Sequence, residues 1–207
     1  KAGFMVLSGN LFDFGIMKTS VISEAFRQRY LSRPGQEGIF EARAVVFEGA
    51  DDYHARINDP ALDIDEGCIL VMRGAGPEVV NMQPPDALIR RGINTLPTLG
   101  DGRQSGTADS PSILNASPES AVGGGLSWLQ SGDTVRIDLN TGRCDALVAP
   151  EEIARRKREL PAPPVPASQS PWEALYREKT GQLADGATLD FALEFQRISE
   201  KTPRHNH

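Results

Sequence analysis

The residues best suited to chemistry in this chain lie in a glycine-rich loop that runs from Leu99 to Pro111. Its glycines allow positive φ angles and a close approach of the backbone to a ligand. Ser105, Thr107 and Asp109 alternate through the loop as hydroxyl, hydroxyl and carboxylate. Such side chains can serve a ligand, but they also often hydrogen-bond the turn that carries them. The loop alone therefore leaves a binding site and a purely structural turn both open.

The glycines at 100, 102 and 106 come near the dinucleotide-binding fingerprint, but their spacing has one residue too many. Pro97 and Pro111 also fit poorly with a strand that runs directly into a helix. The loop is therefore a weak candidate for a nucleotide site. After the loop, Ser117 and Pro118 are typical of a helix N-cap followed by proline at the first helical position, which predicts a helix there.

The segments around the loop alternate between strand and helix patterns. Apolar runs predict strands at 40–47, 68–72, 133–139 and 144–148, and helical spacing predicts helices at 23–31, 49–57, 84–92 and 121–129. The turn at 140–143 joins two of these strands as a hairpin. Because the pattern includes hairpins, a closed mixed β/α barrel fits better than a doubly wound sheet.

We therefore predict an α/β fold in which residues 1–159 form the mixed β/α barrel. Residues 160–171 are rich in proline and alanine and predict a semi-rigid linker. Residues 172–207 predict a C-terminal helical tail, with Trp172, Leu175 and Tyr176 on its apolar face. The chain begins with Lys1 rather than methionine, so we expect it to be a piece of a longer protein.

The composition narrows the possible partners. The net charge of −6 and the pI near 5.1 argue against a nucleic-acid-binding surface. The basic run 155–158 follows two glutamates, which predicts a solvated helix face with i,i+4 ion pairs. We find no apolar run of membrane-spanning length and no signal pattern, so we expect a cytoplasmic protein without membrane contact.

The metal-ligating residue types show no paired spacing. Cys68 and Cys144 lie far apart in apparent strands, so we interpret both as buried or half-buried thiols rather than ligands. His54 stands alone on a predicted helix, and a packed, hydrogen-bonded histidine is the favoured interpretation over a metal ligand.

Several motifs, in order along almost the whole chain, resemble the C-terminal domain of the dihydroxy-acid and phosphogluconate dehydratase family. The residues that carry the resemblance are Gly76–Met82, Arg103–Thr107 and Ser117–Gly124. A further set resembles its sugar-acid branch in particular, namely Gly9–Phe14, Phe47–Gly49, Asp52–Ile57 and Pro203–His207. The resemblance implies a swivelling β/α barrel domain within a homodimer or homotetramer.

The resemblance also implies a reaction and its cofactors. Dehydration of a 2,3-dihydroxy acid removes a weakly acidic proton next to a carboxylate and expels hydroxide, so each step needs an electrophile. In the family, Mg²⁺ serves the first step and an iron–sulfur cluster, expected here to be of the 2Fe–2S type, serves the second. The cluster cysteines belong to an N-terminal domain that this chain lacks, so that domain is the expected partner and the isolated chain should be inactive.

Three residues match functional positions of the family, and a fourth is a weaker candidate. Glu78 matches its magnesium-ligating glutamate, Ser105 the serine thought to act as an alkoxide base, and Thr107 the hydroxyl that supports that serine or the substrate. His207, at the end of the chain, is a weaker candidate for substrate binding. From their types alone, Glu78 would be a solvated loop carboxylate and the tail would be disordered.

The chain departs from the family pattern before Glu78. The family has a glycine- and proline-containing loop between its Gly-Pro pair and the glutamate, whereas Pro77 here is followed directly by Glu78. Either the chain has a real deletion or the loop is missing from this sequence, and the preserved flanks favour the second explanation.

The resemblance thus implies part of a hydro-lyase that converts an aldonate, with a pentonate such as D-xylonate as the expected substrate, to the 2-keto-3-deoxy acid. Two alternatives stay open. One is the dihydroxy-acid dehydratase of branched-chain amino-acid synthesis, and the other is a non-catalytic assembly domain.

Overall fold

The computed structural model describes residues 3–76, 81–103, 112–163, 165, 167–192 and 194–195. The chain divides into two compact units, Lys1–Pro161 and Ala162–His207. Within the described residues, no helix has both the length and the apolar character needed to cross a membrane.

The described residues of the first unit form an eight-stranded mixed sheet. Its strands are β1 (Met5–Leu7), β2 (Phe14–Met17), β3 (Ile39–Glu48), β4 (Cys68–Arg73), β5 (Thr98–Gly100), β6 (Ser112–Ser117), β7 (Thr134–Asp138) and β8 (Arg143–Ala146). Their spatial order is β1-β2-β6-β5-β4-β3-β7-β8. The central strands β3 to β6 pair in parallel, and the outer strands pair antiparallel on both sides. The four parallel strands therefore end at the same edge of the sheet.

Residues 8–10 meet residues 142–146 and close the sheet into a barrel. We call this contact the barrel seam. A bridge joins Ser8 to Arg143, with Ser8 N–H donating to the Gly142 carbonyl at 3.0 Å and Cys144 N–H donating to the Ser8 carbonyl at 3.0 Å. The Asn10 amide extends this seam, since it donates to the Ala146 carbonyl and accepts from the Ala146 N–H, each at 2.8 Å. The predicted closed mixed β/α barrel is confirmed.

Gly9 makes this closure possible. A Cβ atom at position 9 would lie 1.8 Å from the Cys144 carbonyl oxygen, far inside any real contact. Only glycine lets the two backbones approach this closely. The segment that resembles the sugar-acid branch at residues 9–14 therefore has a structural role at the barrel seam.

The strands bury two separate apolar clusters because both faces of the parallel sheet are covered. One cluster fills the barrel and includes Phe40, Ala42 and Ala44 of β3. The other lies outside the barrel and includes Val45 and Phe47 of the same strand. Strand β4 contributes side chains to both clusters, which explains its continuous apolar run. The predicted strand at 68–72 is confirmed.

The helices are short and flank the sheet. They are α1 (Glu24–Phe26, continued by a π-helical turn to Leu31), α2 (Gly49–Arg56), α3 (Asp86–Ile89) and α4 (Pro150–Glu159). Each falls within or next to a segment where the sequence predicts or suggests a helix. In α4, acidic residues occupy the first turn and basic residues the last, which suits the helix dipole.

Two helix predictions are wrong. Ser117 ends strand β6 instead of capping a helix, because the backbone of β6 pairs with both β5 and β2. The predicted helix at 121–129 is replaced by two 3₁₀ turns, Ser120–Val122 and Gly125–Ser127. Gly123, at φ +85°, ends the first turn, and a run of three glycines cannot sustain a helix there.

The second unit contains α5 (Pro171–Lys179) and a 3₁₀ turn, Leu183–Asp185. Ser170 caps α5 by accepting the Glu173 N–H at 3.2 Å, and the Glu173 carboxylate accepts the Gln169 N–H at 2.7 Å. This arrangement is a variant of the capping box. Trp172, predicted on an apolar face, is 78% exposed.

Candidate active site

The candidate site lies where three parallel strands end. The loops after β4, β5 and β6 leave the same edge of the sheet, as the parallel pairing requires. In open and closed α/β sheets, the carboxyl ends of the strands are the usual place for a site because the loops there converge. In the sequence, Glu78 lies between β4 and α3, and Ser105 and Thr107 lie between β5 and β6.

Asp101 connects the three loops. Its side chain is 2% exposed and lies directly after β5. Its Oδ1 accepts the Gly74 N–H from the loop after β4 at 2.9 Å, and its Oδ2 accepts the Ser120 N–H from the segment after β6 at 2.8 Å. Burial raises the pKa of this carboxyl group, and the hydrogen bonds from Ser120 and Gly74 lower it in part. Within the described residues, the backbone N–H groups of Gly74 and Ser120 and the side chain of Ser120 thus hold this carboxylate.

Arg103 makes two further connections between the same loops. Its N–H donates to the Gly76 carbonyl at 2.8 Å, which ties the loop after β5 to the loop after β4. Its Nε donates to Glu119 Oε1 at 2.9 Å, and both side chains are less than one-sixth exposed. Loss of either partner would leave the other charge nearly buried and uncompensated, so this ion pair is costly to break.

The residues predicted to carry the chemistry all lie outside the described residues. Glu78, Ser105, Thr107 and His207 fall in segments for which the structure gives no placement. Their nearest described neighbours in sequence include Gly76 and Arg103, which bond to each other. The assignments of these four residues therefore stay predictions.

The described cysteines and histidine do not form a ligand set. Cys144 lies inside the barrel, where burial raises the pKa of its thiol, and Cys68 lies in the outer cluster on the other face of the sheet. Both are buried free thiols, as predicted. His54 is exposed on α2 and contacts only the ring of Tyr53 among described aromatic residues, so the prediction of a packed histidine is wrong. Helix α2 simply turns that face outward.

Neither implied metal group is complete within the described part of the chain. No group of three or more histidine, cysteine, aspartate or glutamate side chains there could hold a metal ion. The two cysteines do not fit an iron–sulfur cluster, since they face opposite sides of the sheet and a cluster needs several convergent thiolates. For Mg²⁺, Glu78 is a suitable oxygen donor, but one carboxylate supplies only part of an octahedral site.

Sequence analysis did not single out Asp101, although its position in the sequence offers a signal. Asp101 stands between Gly100 and Gly102 immediately after an apolar strand, where a carboxylate is well placed to accept backbone N–H groups of neighbouring loops. Its partners Gly74 and Ser120 are 27 and 19 residues away, so only the fold brings them together. The same holds for the pair of Arg103 and Glu119.

The barrel is closed at residues 8–10, and the loops that follow its parallel strands lie at one edge. Comparison of the chain with known proteins identifies the class of protein to which it belongs. Residues 1–187 match the family model described as "Dihydroxy-acid/6-phosphogluconate dehydratase C-terminal". The chain belongs to this family, in agreement with the resemblance of its motifs.

Among individual relatives, the chain is 69% identical to a D-xylonate dehydratase of Caulobacter vibrioides over 215 residues, which covers 100% of this chain and 36% of that protein. It is 38% identical to an L-arabinonate dehydratase of Rhizobium leguminosarum bv. trifolii, covering 91% of this chain and 32% of that protein. A dihydroxy-acid dehydratase of Saccharolobus islandicus is 30% identical and covers 72% of this chain and 27% of that protein.

The chain spans about a third of the length of these curated relatives. The alignment with the Caulobacter protein extends over 215 residues, whereas this chain has 207. The relative therefore has residues without a counterpart here, which is compatible with both explanations of the direct step from Pro77 to Glu78.

Proposed function

We propose that this chain is the C-terminal domain of a sugar-acid hydro-lyase that dehydrates a pentonate, D-xylonate being the first candidate, to the 2-keto-3-deoxy acid. The observation that carries the proposal is the 69% identity to a D-xylonate dehydratase over the whole chain. Two further relatives, 38% and 32% identical and named for L-arabinonate and L-arabonate, support the same substrate class.

In this proposal Ser105, as its alkoxide, accepts the proton from C2 of the substrate. The C2–H bonding electrons form the C2–C3 double bond, and the C3 hydroxyl leaves with the electrons of its bond to C3. The net loss is one water molecule, and the product is an enol with its hydroxyl on C2. Tautomerisation of that enol moves a proton to C3 and gives the keto acid. Thr107 orients Ser105 or the substrate.

Two groups from outside the described residues complete the proposal. Mg²⁺, with Glu78 as one ligand, would supply the positive charge that holds the substrate carboxylate and makes the Ser105 hydroxyl easier to deprotonate. The iron–sulfur cluster has no fitting ligands in the described part of this chain, so we assign it to an N-terminal domain of the longer protein.

The described geometry supports a shared site for Glu78 and Ser105. Glu78 follows Gly76 by two residues, and Ser105 follows Arg103 by two residues. Gly76 and Arg103 are themselves hydrogen-bonded at 2.8 Å. A base and a metal ligand that act on neighbouring atoms of one substrate need such proximity.

Replacement of Ser105 by alanine in the full-length enzyme tests the proposal. We expect kcat for D-xylonate to fall by about a thousandfold or more, because general-base catalysis contributes about 10²–10⁴-fold and the base has no substitute. Ser32→Ala is the matched control, since Ser32 is exposed and bonds only the Arg27 carbonyl among described residues. Near-wild-type turnover by a folded Ser105→Ala enzyme would instead favour the non-catalytic assembly domain.

The dihydroxy-acid dehydratase alternative receives less support, since the relative of that name is only 30% identical. A homodimeric or homotetrameric assembly, the cytoplasmic location and a role of His207 at the substrate stay predictions. Deletion of residues 203–207 with unchanged turnover would contradict the role of His207.

A further inference from the structure

One buried carboxylate holds together the loops on which the proposed chemistry depends. Asp101 accepts one backbone N–H from the loop after β4 and another from the segment after β6, at 2.9 and 2.8 Å. It is itself the first residue after β5. Three chain segments that are remote in sequence therefore meet at the two oxygens of one side chain.

The contacts of Asp101 differ from those of an ordinary turn carboxylate. Asp138, for comparison, accepts the N–H groups of Asn140 and Thr141 at 2.8 and 3.3 Å, both within its own hairpin. The two N–H groups that Asp101 accepts come instead from 27 and 19 residues away, and its side chain is 2% exposed. Burial of a carboxylate is unfavourable unless its lone pairs are used, so this arrangement fixes the distance between the loops that supply the donors.

We propose that Asp101 is a positioning residue, whose carboxylate fixes the Gly74 and Ser120 segments relative to the loop that contains Ser105. This inference rests on the proposed function, because a positioning role for Asp101 depends on the roles proposed there for Glu78 and Ser105. Arg103 reinforces the arrangement through its bonds to Gly76 and Glu119. In this role Asp101 acts through the loops and not on the substrate.

The expected effect on catalysis follows from the sensitivity of bound geometry. A displacement of about 1 Å between reacting groups can lower the rate about a hundredfold. Asp101→Asn keeps the size of the side chain but offers one acceptor oxygen in place of two, and its NH₂ group faces a backbone donor. One of the two loops is therefore released.

The test compares Asp101→Asn with Asp138→Asn in the full-length enzyme. Both substitutions replace a carboxylate by an amide of the same size. At Asp138, however, both backbone N–H groups bond the single oxygen Oδ1, so the amide oxygen of an asparagine can keep both bonds. Asp138 also lies beside Ile39, the first residue of β3, and thus at the other end of the parallel strands. We expect kcat per folded site to fall at least tenfold in Asp101→Asn and less than twofold in Asp138→Asn. We also expect faster amide hydrogen exchange in peptides that contain Gly74 or Ser120 only in Asp101→Asn.

The outcomes separate this inference from the proposed function. Wild-type kcat in Asp101→Asn, in an enzyme that Ser105→Ala inactivates, overturns the inference and leaves the proposed function intact. Unchanged exchange at Gly74 and Ser120 overturns it as well, whatever the activity. An equal loss of kcat in both aspartate variants would indicate a general structural effect and likewise contradicts a positioning role.

Discussion

At the scale of single residues, the basic run at 155–158 combines two different kinds of ion pair. Arg155 is about half exposed and pairs with Glu152 and Glu159 of its own helix, as the solvated-face prediction expects. Arg156 also pairs with Glu152 of its own helix, at 2.8 Å. In addition, its guanidinium forms two bonds to Asp133, at 2.5 and 3.0 Å, and the side chains of Arg156 and Asp133 are both 11% exposed. Asp133 lies 23 residues away, so helical spacing could not predict this partner.

Replacement of Arg156 by alanine should therefore lower the free energy of unfolding by about 3 kcal/mol, because Asp133 is left nearly buried without its partner. Arg155→Ala is the matched control, with an expected loss of about 0.5 kcal/mol, as for other exposed pairs. Urea denaturation of this chain measures both values. Equal losses for the two variants would contradict the assignment of Arg156 as the residue that fastens α4 to the barrel.

At the scale of elements, the sequence predicted the strands better than the connections between them. The runs in β3, β4, β7 and β8 were found because alternation and continuous apolarity depend on local pattern alone. The segment after Ser117 was missed because a Ser-Pro pair is also compatible with the end of a strand that pairs on both sides. Closure of the barrel through Asn10 depends on partners more than 130 residues away.

The barrel seam gives the sharpest prediction at this scale. Gly9→Ala should lower the free energy of unfolding by about 3 kcal/mol, at the upper end of the range for overpacking, because the new Cβ meets the Cys144 carbonyl and forces the closing strands apart. Gly35→Ala provides the control. Gly35 has φ +77° and open space within 4 Å of the position that a Cβ would take, so only the backbone cost of about 1 kcal/mol remains. Thermal or urea unfolding that ranks Gly35→Ala as the worse variant would contradict the seam.

At the scale of the whole molecule, the described residues provide a barrel and its connecting loops but no complete set of metal ligands. The described residues contain no cluster of metal-ligating side chains, and the two thiols face opposite sides of the sheet. The candidate residues were found only through their family motifs, because a serine, a threonine and a glutamate in glycine-rich loops carry no distinctive chemistry by themselves. Their supporting residues Asp101 and Arg103 emerged only from the folded structure. We accordingly expect the isolated 207-residue chain to show no dehydratase activity.

The most direct measurement is kcat/KM of the full-length enzyme for D-xylonate and for 2,3-dihydroxyisovalerate under the same conditions. We predict conversion of D-xylonate to the 2-keto-3-deoxy acid with a preference of about a hundredfold or more, since a site built to hydrogen-bond extra hydroxyl groups rejects a substrate that lacks them. A preference for 2,3-dihydroxyisovalerate, or D-xylonate turnover by the isolated chain, would contradict it.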